Sequence, residues 1–299
     1  MDKKQLIQQI GGLQRSRVIT YLTSDRQGPI NARVAMDIIP IISKQLRTIG
    51  KTENIDLFLY SAGGDTMVPW RLVSMIREYC DKFSVLIPYK AHSAATMIAL
   101  GADKIVMSDL SELSPIDPST ANVFNPQDPQ NPQIHPLALG NVNRTHNLIR
   151  VLAKRLLKSH KSPMKEEEIT RIVDDFTEKL YSHQYFVGRK EAKEDLGVKS
   201  VVFADQNLSR AMTELYEQYK EEMELGKIWN PENELGANTM QNKKDYKIAY
   251  IESAQLSNYF ELAVEYKKQQ VNTVQQTPQG PIQIPQEQVV WRIVGQGWK

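Results

Sequence analysis

Cysteine and long apolar runs are what this 299-residue sequence has least of. Its one cysteine, Cys80, excludes an internal disulfide and a cysteine-rich zinc site, and is typical of a reducing compartment. No apolar run approaches the roughly 18 residues of a membrane span, and the polar residues 1–12 lack the apolar stretch of a signal peptide. We therefore expect a soluble, cytoplasmic protein without a membrane span.

A surplus of charge of one sign is also absent, since 37 Lys and Arg stand against 35 Asp and Glu. The net charge of +2 comes without a cationic block, so a broad nucleic-acid-binding face is not indicated. Apolar residues make up 41% and Gly and Pro number 15 each, which argues against disordered and fibrous classes. At roughly 150 residues per domain, the length corresponds to about two domains.

Motifs for phosphate and metal binding are missing as well. The sequence has no G-x-x-x-x-G-K-[ST] loop and no G-x-G-x-x-G loop. No H-E-x-x-H or comparable metal-binding spacing relates the five histidines, which are His92, His135, His146, His160 and His183. We expect no metal, no cofactor and no nucleic-acid partner.

The sequence does contain an alternation of short apolar runs and amphipathic segments. Apolar runs predict strands over residues 17–22, 56–60, 83–88, 104–107 and 200–203. Apolar residues at helical spacing predict helices over residues 34–46, 66–80, 94–100, 146–158, 166–180 and 208–225. This alternation predicts an α/β fold with largely parallel strands.

Proline interrupts the pattern over residues 123–136 and 273–287, which we interpret as irregular loops. From about residue 227 onward, aromatic and β-branched residues predict short strands, to which the sequence assigns no fold.

The first candidate functional segment is the strand-to-helix junction at residues 61–65, which reads SAGGD. Its paired glycines, Gly63 and Gly64, let the backbone bend sharply and present N–H groups without side chains in the way. Such N–H groups can stabilise a developing negative charge. The alternative is a tight turn that only connects two elements, which is the common use of paired glycine.

The second segment is the junction at residues 91–96, which reads AHSAAT. Ser93 lies where a strand leads into a helix, among small residues that leave its hydroxyl approachable, as a nucleophilic serine requires. The alternative is an N-cap serine. The G-x-S-x-G elbow of α/β-hydrolases is absent, and we expect the side chain of the adjacent His92 to point away from the serine hydroxyl.

Both junctions belong to a set of motifs that resembles the Clp-protease/crotonase superfamily. Within it, the sequence is similar to the serine dehydrogenase proteinase family and its relative, signal peptide peptidase A. The motifs are SRVITYL (16–22), DLFLYSAGGD (56–65), IPYKAHSAATMIALGADKIVMS (87–108), LSPIDP (113–118) and YSHQYFVGRKEAKEDLGV (181–198). Each motif alone is weak, but five in the same order and spacing make a strong signal.

The resemblance implies a Clp-protease/crotonase-like spiral of β-β-α units with parallel sheets. It also implies a serine peptidase that cleaves polypeptides through an acyl-enzyme on Ser93, with the N–H groups of Gly64 and Ala94 as the oxyanion hole. His183 lies in a segment where the family carries a histidine before a helix, and Asp117 in an S-P-I-D-P segment like the family's G-P-V-D-P. A triad of Ser93, His183 and Asp117 is the leading assignment.

A Ser–Lys dyad, as in signal peptide peptidase A, is the alternative, with Lys154 as the base. The sequence also departs from the family pattern, because two alanines follow Ser93 where relatives carry Gly-Gly. Similarly, Ala62 replaces the proline of P-G-G, and YFV at residues 185–187 replaces Tyr-Pro-Ile. Added methyl groups could narrow the site, so a non-catalytic Clp-like scaffold is a second hypothesis. Acyl-CoA chemistry on the same fold is a third.

We divide the chain into an N-terminal helix (1–15), a Clp-like core (16–226) and a C-terminal appendage (227–299). The resemblance ends before the appendage, so we expect the core to fold without it. The appendage would then bind a protein partner or control substrate access. Because modules of this superfamily commonly pack into rings, we also expect a homo-oligomer.

Overall fold

The structure is a computed structural model that describes residues 1–116, 136–180, 182, 185–236, 239–277 and 280–299. Its strands are β1 (Arg17–Thr23), β2 (Thr52–Tyr60), β3 (Cys80–Ile87), β4 (Lys90–Ala91), β5 (Lys104–Met107), β6 (Glu112–Leu113), β7 (Val187–Gly188), β8 (Val201–Phe203), β9 (Gln241–Glu252), β10 (Ser257–Thr277) and β11 (Gly280–Trp298). Its α-helices are α1 (Lys3–Gln14), α2 (Ile38–Ile49), α3 (Val68–Arg77), α4 (Ala94–Leu100), α5 (Pro136–Lys158), α6 (Glu166–Asp174), α7 (Gln206–Glu222) and α8 (Pro231–Leu235). Two short π-helices span Asp175–Lys179, directly after α6, and Glu191–Asp195. In these ranges, no helix is both long and apolar enough to cross a membrane.

Eight strands form one sheet in the order β11-β10-β9-β1-β2-β3-β5-β8. The strands β1, β2, β3, β5 and β8 run parallel to one another, whereas β9, β10 and β11 are joined to them in antiparallel fashion. A second, small sheet has the order β4-β6-β7. The mostly parallel central sheet confirms the predicted α/β class.

Helices cover both faces of the central sheet, as parallel strands require. Successive side chains of a strand point to opposite faces, so Ile19 and Tyr21 of β1 pack in one layer with α2–α6. Val18 and Leu22 pack in the other layer with α1 and α7. The core therefore lies on both sides of the central strands.

Most predicted elements are present with shifted ends. The helix predicted over residues 94–100 and the strand over 104–107 have the expected bounds. The helix predicted from residue 34 begins at Ile38, because Val34 forms a parallel bridge with Gly64 instead. The predicted loop over residues 123–136 lies, up to residue 135, outside the described residues.

The prediction of an irregular loop over residues 273–287 is wrong. The described residues of this stretch belong to the hairpin β10–β11, in which Gln276 is paired with Pro281 and Asn272 with Pro285. Proline cannot donate a hydrogen bond to a neighbouring strand and is confined to edge strands. Because β11 is an edge strand of the sheet, its prolines are compatible with strand structure.

The C-terminal segment is joined to the core sheet through β9, which pairs antiparallel with β1. Ile251 and Tyr250 of β9 are buried in the two layers on either side of β1. Strands are present as predicted, although with 12, 21 and 19 residues they are long rather than short. The division after residue 226 stays a prediction, and truncation tests it.

We predict that a chain ending at residue 226 keeps its α/β core but unfolds at a lower urea concentration than a chain ending at residue 256. Only the longer chain retains β9 on β1, and burial of each large apolar side chain contributes about 1.5–3 kcal/mol. Urea titration followed by circular dichroism measures the difference. Equal midpoints would show that β9 adds nothing to the core, and a molten shorter chain would move the core boundary beyond β9.

Candidate active site

The two predicted junctions lie side by side beyond the carboxyl ends of β2 and β3. Ser61 forms a parallel bridge with Ala91, and its N–H donates to the carbonyl oxygen of the residue before that alanine at 3.2 Å. The carbonyl oxygen of Ser61 accepts from the N–H of His92 at 3.0 Å. Residues 61–65, hereafter the glycine strand, therefore run alongside the segment that carries Ser93.

Ser93 has a backbone conformation that residues other than glycine rarely adopt. Its φ is 51° and its ψ is −115°, and its side chain makes no capping hydrogen bond to α4. Ser93 occupies the N-cap position of α4, but it has neither the extended backbone nor the capping hydroxyl of an ordinary N-cap serine. Such a conformation costs about 1–3 kcal/mol and is typical of functional sites, where the surrounding structure enforces it.

Two buried hydroxyl groups hold the backbone around Ser93. The N–H of Ser93 donates to Ser114 Oγ at 2.8 Å, and the N–H of Ser114 donates to Thr96 Oγ1 at 3.1 Å. Thr96 Oγ1 in turn donates to the carbonyl oxygen of Ala91 at 2.7 Å. Sequence analysis missed the roles of Ser114 and Thr96. A hydroxyl that supports a backbone leaves no spacing signal, although both residues lie inside the quoted motifs.

The glycine strand forms parallel bridges at Ser61 with Ala91 and at Gly64 with Val34, so it does not merely connect two elements as a tight turn would. A Cβ on Gly63 would lie 2.7 Å from the Cβ of Ser93, and a Cβ on Gly64 would lie 2.3 Å from the carbonyl oxygen of Val34. The φ angles of these glycines, 95° and 155°, would add strain for any other residue. Both positions therefore require glycine.

Two backbone N–H groups face the site without an acceptor among the described residues, those of Gly64 and Ala94. The carbonyl of Gly63 and the N–H of Asp65 bond to Val34, so the N–H of the intervening Gly64 points to the opposite side. The N–H of Ala94 is the first of α4 and has no partner within the helix. These are the two groups predicted for the oxyanion hole.

The predicted base, His183, and the predicted orienting residue, Asp117, lie outside the described residues. The described residues that flank them are joined to the site. In the small sheet, Leu113 pairs with Ala91 on one side and with Val187 on the other. The roles of the histidine and the aspartate stay predictions.

Lys154, the alternative base, is a partly buried residue of α5. Its Nζ lies 3.4 Å from Thr170 Oγ1, four residues into α6. A role of Lys154 as base is, like that of the histidine, a prediction.

The other described histidines have partners of their own. Nε2 of His92 lies 3.0 Å from Glu112 Oε1, which directs this side chain towards β6. The Nε2 atoms of His146 and His160 lie 3.2 Å and 2.7 Å from backbone carbonyl oxygens. Burial lowers the pKa of His160. In the part of the chain that the structure describes, no group of three His, Cys, Asp or Glu side chains could hold a metal ion.

A serine beside two backbone N–H groups that find no acceptor among the described residues fits the requirements of a covalent serine hydrolase for a nucleophile and an oxyanion hole. The chain belongs to the family of ClpP-like SDH-type serine proteinases, whose sequence model matches residues 1–230. This finding confirms the family predicted from the five motifs. The match ends before β9, so the three C-terminal strands lie beyond the family's shared region.

Individual proteins similar to this chain include two uncharacterized proteins of Methanocaldococcus jannaschii. One, MJ0137, is 25% identical over 235 residues, which cover 74% of this chain and 79% of the relative. The other, MJ1495, is 28% identical over 98 residues, which cover 33% of this chain and 32% of the relative.

Solved structures of ClpP proteins are similar to this chain at lower identity. ClpP1 from Listeria monocytogenes is 18% identical with a TM-score of 0.42, over 69% of this chain and 98% of that chain. The ClpP protease catalytic domain from Plasmodium falciparum is 11% identical with a TM-score of 0.42, over 69% of this chain and 93% of that chain.

We predict that Gly63→Ala lowers the free energy of unfolding by about 1–3 kcal/mol, because its methyl group would overpack the site. That methyl group would lie 2.7 Å from the Cβ of Ser93, at a φ of 95° that is strained for alanine. Gly12→Ala in α1 is the matched control, since nothing lies within 4 Å of its added Cβ. Alanine in a helix is favoured over glycine by about 0.5–1 kcal/mol, so the control should gain stability. Urea titration compares the two variants, and equal midpoints would contradict the close approach at Gly63.

Proposed function

We propose that the protein is a serine peptidase that hydrolyses polypeptides through an acyl-enzyme on Ser93. The observation that carries the proposal is the position of Ser93 beside the N–H groups of Gly64 and Ala94. A strained serine and two N–H groups without acceptors both cost stability. That cost is expected where a site stabilises the oxyanion of a reaction intermediate.

In this proposal, the Ser93 hydroxyl oxygen attacks the carbonyl carbon of the peptide bond while its proton passes to His183. The carbonyl oxygen becomes an oxyanion that accepts hydrogen bonds from the N–H groups of Gly64 and Ala94. Collapse of the tetrahedral intermediate breaks the C–N bond, and the imidazolium gives its proton to the leaving amine. Water then hydrolyses the ester by the same route, with Asp117 orienting the imidazole.

Two observations favour His183 over Lys154 as the base. The ammonium of Lys154 is in contact with a hydroxyl of α6. Val187, four residues after the histidine, is two strands from Ala91 in the small sheet, where neighbouring strands lie about 4.8 Å apart. The short chain separation therefore joins the segment that carries His183 to the small sheet beside Ser93.

The burial of Ala94 and Ala95 favours catalysis over a non-catalytic scaffold. Both side chains are 0% exposed and belong to the main core cluster. Their methyl groups therefore fill the core instead of narrowing the approach to Ser93. The departure from the family's Gly-Gly is in this way compatible with a working nucleophile.

We predict that a fluorophosphonate forms a covalent adduct on Ser93. The phosphonate oxygen occupies the position of the oxyanion, so the reaction depends on the nucleophile and on the two N–H groups together. Mass spectrometry locates the adduct, because the tryptic peptide spanning residues 91–104 contains Ser93 as its one serine. Ser93→Ala should abolish the adduct, and Ser209→Ala on α7 should leave it unchanged. A folded chain that stays unlabelled at Ser93 would favour the scaffold hypothesis.

We predict that the labelling rate rises through about pH 6 to 7 and then levels off, because an unperturbed imidazole has a pKa of about 6.5. His183→Ala should slow labelling by several orders of magnitude. Asp117→Asn should also slow it, because the imidazole loses the partner that fixes its tautomer. Lys154→Ala is the control and should change the rate by less than about twofold. An alkaline rise with Lys154 essential and His183 dispensable would assign the base to the lysine.

We also propose that the peptidase is a cytoplasmic homo-oligomer. Closed symmetry is the usual outcome for chains with self-complementary surfaces. A reducing compartment is supported by Cys80, the one cysteine of the chain. Burial raises the pKa of its thiol to about 11, so the side chain is protonated and unreactive at neutral pH.

A further inference from the structure

The backbone of Val34 is hydrogen-bonded to the glycine strand on the side away from Ser93. Val34 donates its N–H to the carbonyl oxygen of Gly63 at 2.9 Å and accepts from the N–H of Asp65 at 2.8 Å. Val34 is 1% exposed, and the space between its backbone and Gly64 does not admit even one Cβ. Any shift of Val34 would therefore move Gly64, whose N–H faces the side of Ser93.

Val34 belongs to the connection between β1 and α2, residues 24–37, hereafter the 24–37 loop. The loop contains no helix or strand, and its first half is fastened to the C-terminal segment. The N–H of Ser24 donates to the carbonyl oxygen of Ile248 in β9 at 2.7 Å. Ile30 is fully buried in a cluster with side chains of α8, β9 and β10.

Arg26 is the charged anchor of this loop. Its side chain is 1% exposed, and its guanidinium lies 2.8 Å from Glu224 and 3.2 Å from Glu234. Its Nε donates to the carbonyl oxygen of Lys227 at 3.3 Å. Every one of these partners follows α7 in the chain. Removal of one member of such a buried ion pair leaves the other charge buried and uncompensated, which is strongly destabilising.

Lys244 of β9 completes the charge cluster. Its Nζ lies 3.2 Å from Glu224 and 2.9 Å from Glu234, the same two carboxylates that bind the arginine. Burial alone would raise the pKa of Glu234, but the hydrogen bond from Lys244 holds it below its ordinary value. The cluster therefore stays ionised at neutral pH and ties the 24–37 loop to β9.

We infer that Arg26 is a positioning residue for the oxyanion hole. Through this arginine, the C-terminal segment keeps the glycine strand where the N–H of Gly64 faces the side of Ser93. Arg26 fixes the 24–37 loop on residues 224–244, the loop carries Val34, and Val34 fixes Gly64. The inference rests on the proposed function, since it concerns the same oxyanion hole. It links the C-terminal segment indirectly to the reactivity of Ser93.

The first test is amide hydrogen exchange on the full chain carrying Arg26→Met, which removes the charge and keeps a long side chain. The N–H groups of Val34 and Asp65 are expected to exchange at least tenfold faster, because the loop that holds them is released. Amides within β2 should keep their rates. Arg33→Met is the matched control, since this arginine is an exposed residue of the same loop, and it should change none of these rates.

The second test is the rate of fluorophosphonate labelling at Ser93. Loss of one oxyanion donor costs about 10²–10³ in rate, so a displaced donor in Arg26→Met should slow labelling about tenfold or more. Arg26→Lys should restore part of the rate, because an ammonium can still bind one of the two carboxylates. Arg33→Met should label at the rate of the unsubstituted chain.

Unchanged exchange at Val34 and Asp65 in folded Arg26→Met overturns the inference, as does unchanged labelling. If Arg26→Met fails to fold, Glu234→Gln replaces it. That variant removes one of the two carboxylates, and its effects should run in the same direction with smaller size. Normal exchange and labelling in Glu234→Gln would overturn the inference as well. An unsubstituted chain that never labels, with exchange that still responds to Arg26→Met, would defeat the proposed function while supporting the coupling.

Discussion

The close approach of three backbone segments at Gly63 and Gly64 is the constraint on which the rest of the site depends. One segment carries Val34, the second is the glycine strand, and the third carries Ser93. With no side chains between them, the first two segments share backbone hydrogen bonds, which leaves the N–H of Gly64 directed towards the side of Ser93. The strained φ of Ser93 is tolerated because its neighbours on both sides are fixed.

A site built from backbone groups tolerates substitution of the side chains around it. The donors proposed for the oxyanion hole are backbone N–H groups, so their presence does not depend on whether alanine or glycine follows Ser93. What the site does demand is small residues where backbones meet and hydroxyls where backbone groups are buried, as at Ser114 and Thr96. This explains how the sequence can depart from the family pattern while the arrangement is kept.

Local pattern and motif order were enough to single out Ser93, Gly64 and Ala94, which the structure brings together, although their catalytic roles stay predictions. Val34 was out of reach because it continues the helical spacing of Ile38 and Ile42, so the pattern assigned it to a helix. Its real partner, the glycine strand, lies 30 residues further along the chain. Interactions over such separations have no local signature, and they decide where the helix begins.

Pairing between residues far apart in the chain also explains why the sequence did not predict where the C-terminal strands lie. Aromatic and β-branched residues predicted strands there, but nothing local predicts that β9 pairs with β1 rather than with a sheet of its own. The prolines of β11 suggested a loop because proline is rare in strands, and only the edge position of β11 makes them acceptable. Local propensity thus predicted strands in this segment but failed at the prolines of β11, and only the sheet order shows where each strand lies.

The pairing of β1 with β9 also concerns how the chain is made. Thr20 in β1 bonds to Glu252 in β9, which is 232 residues further on. At about 5–20 residues per second, a ribosome needs roughly 12–46 s to synthesise that stretch. For that time, one edge of the first strand has unpaired N–H and C=O groups, which are a template for pairing with another chain. Until β9 has been made, this edge of the nascent chain is therefore open to pairing with a wrong partner.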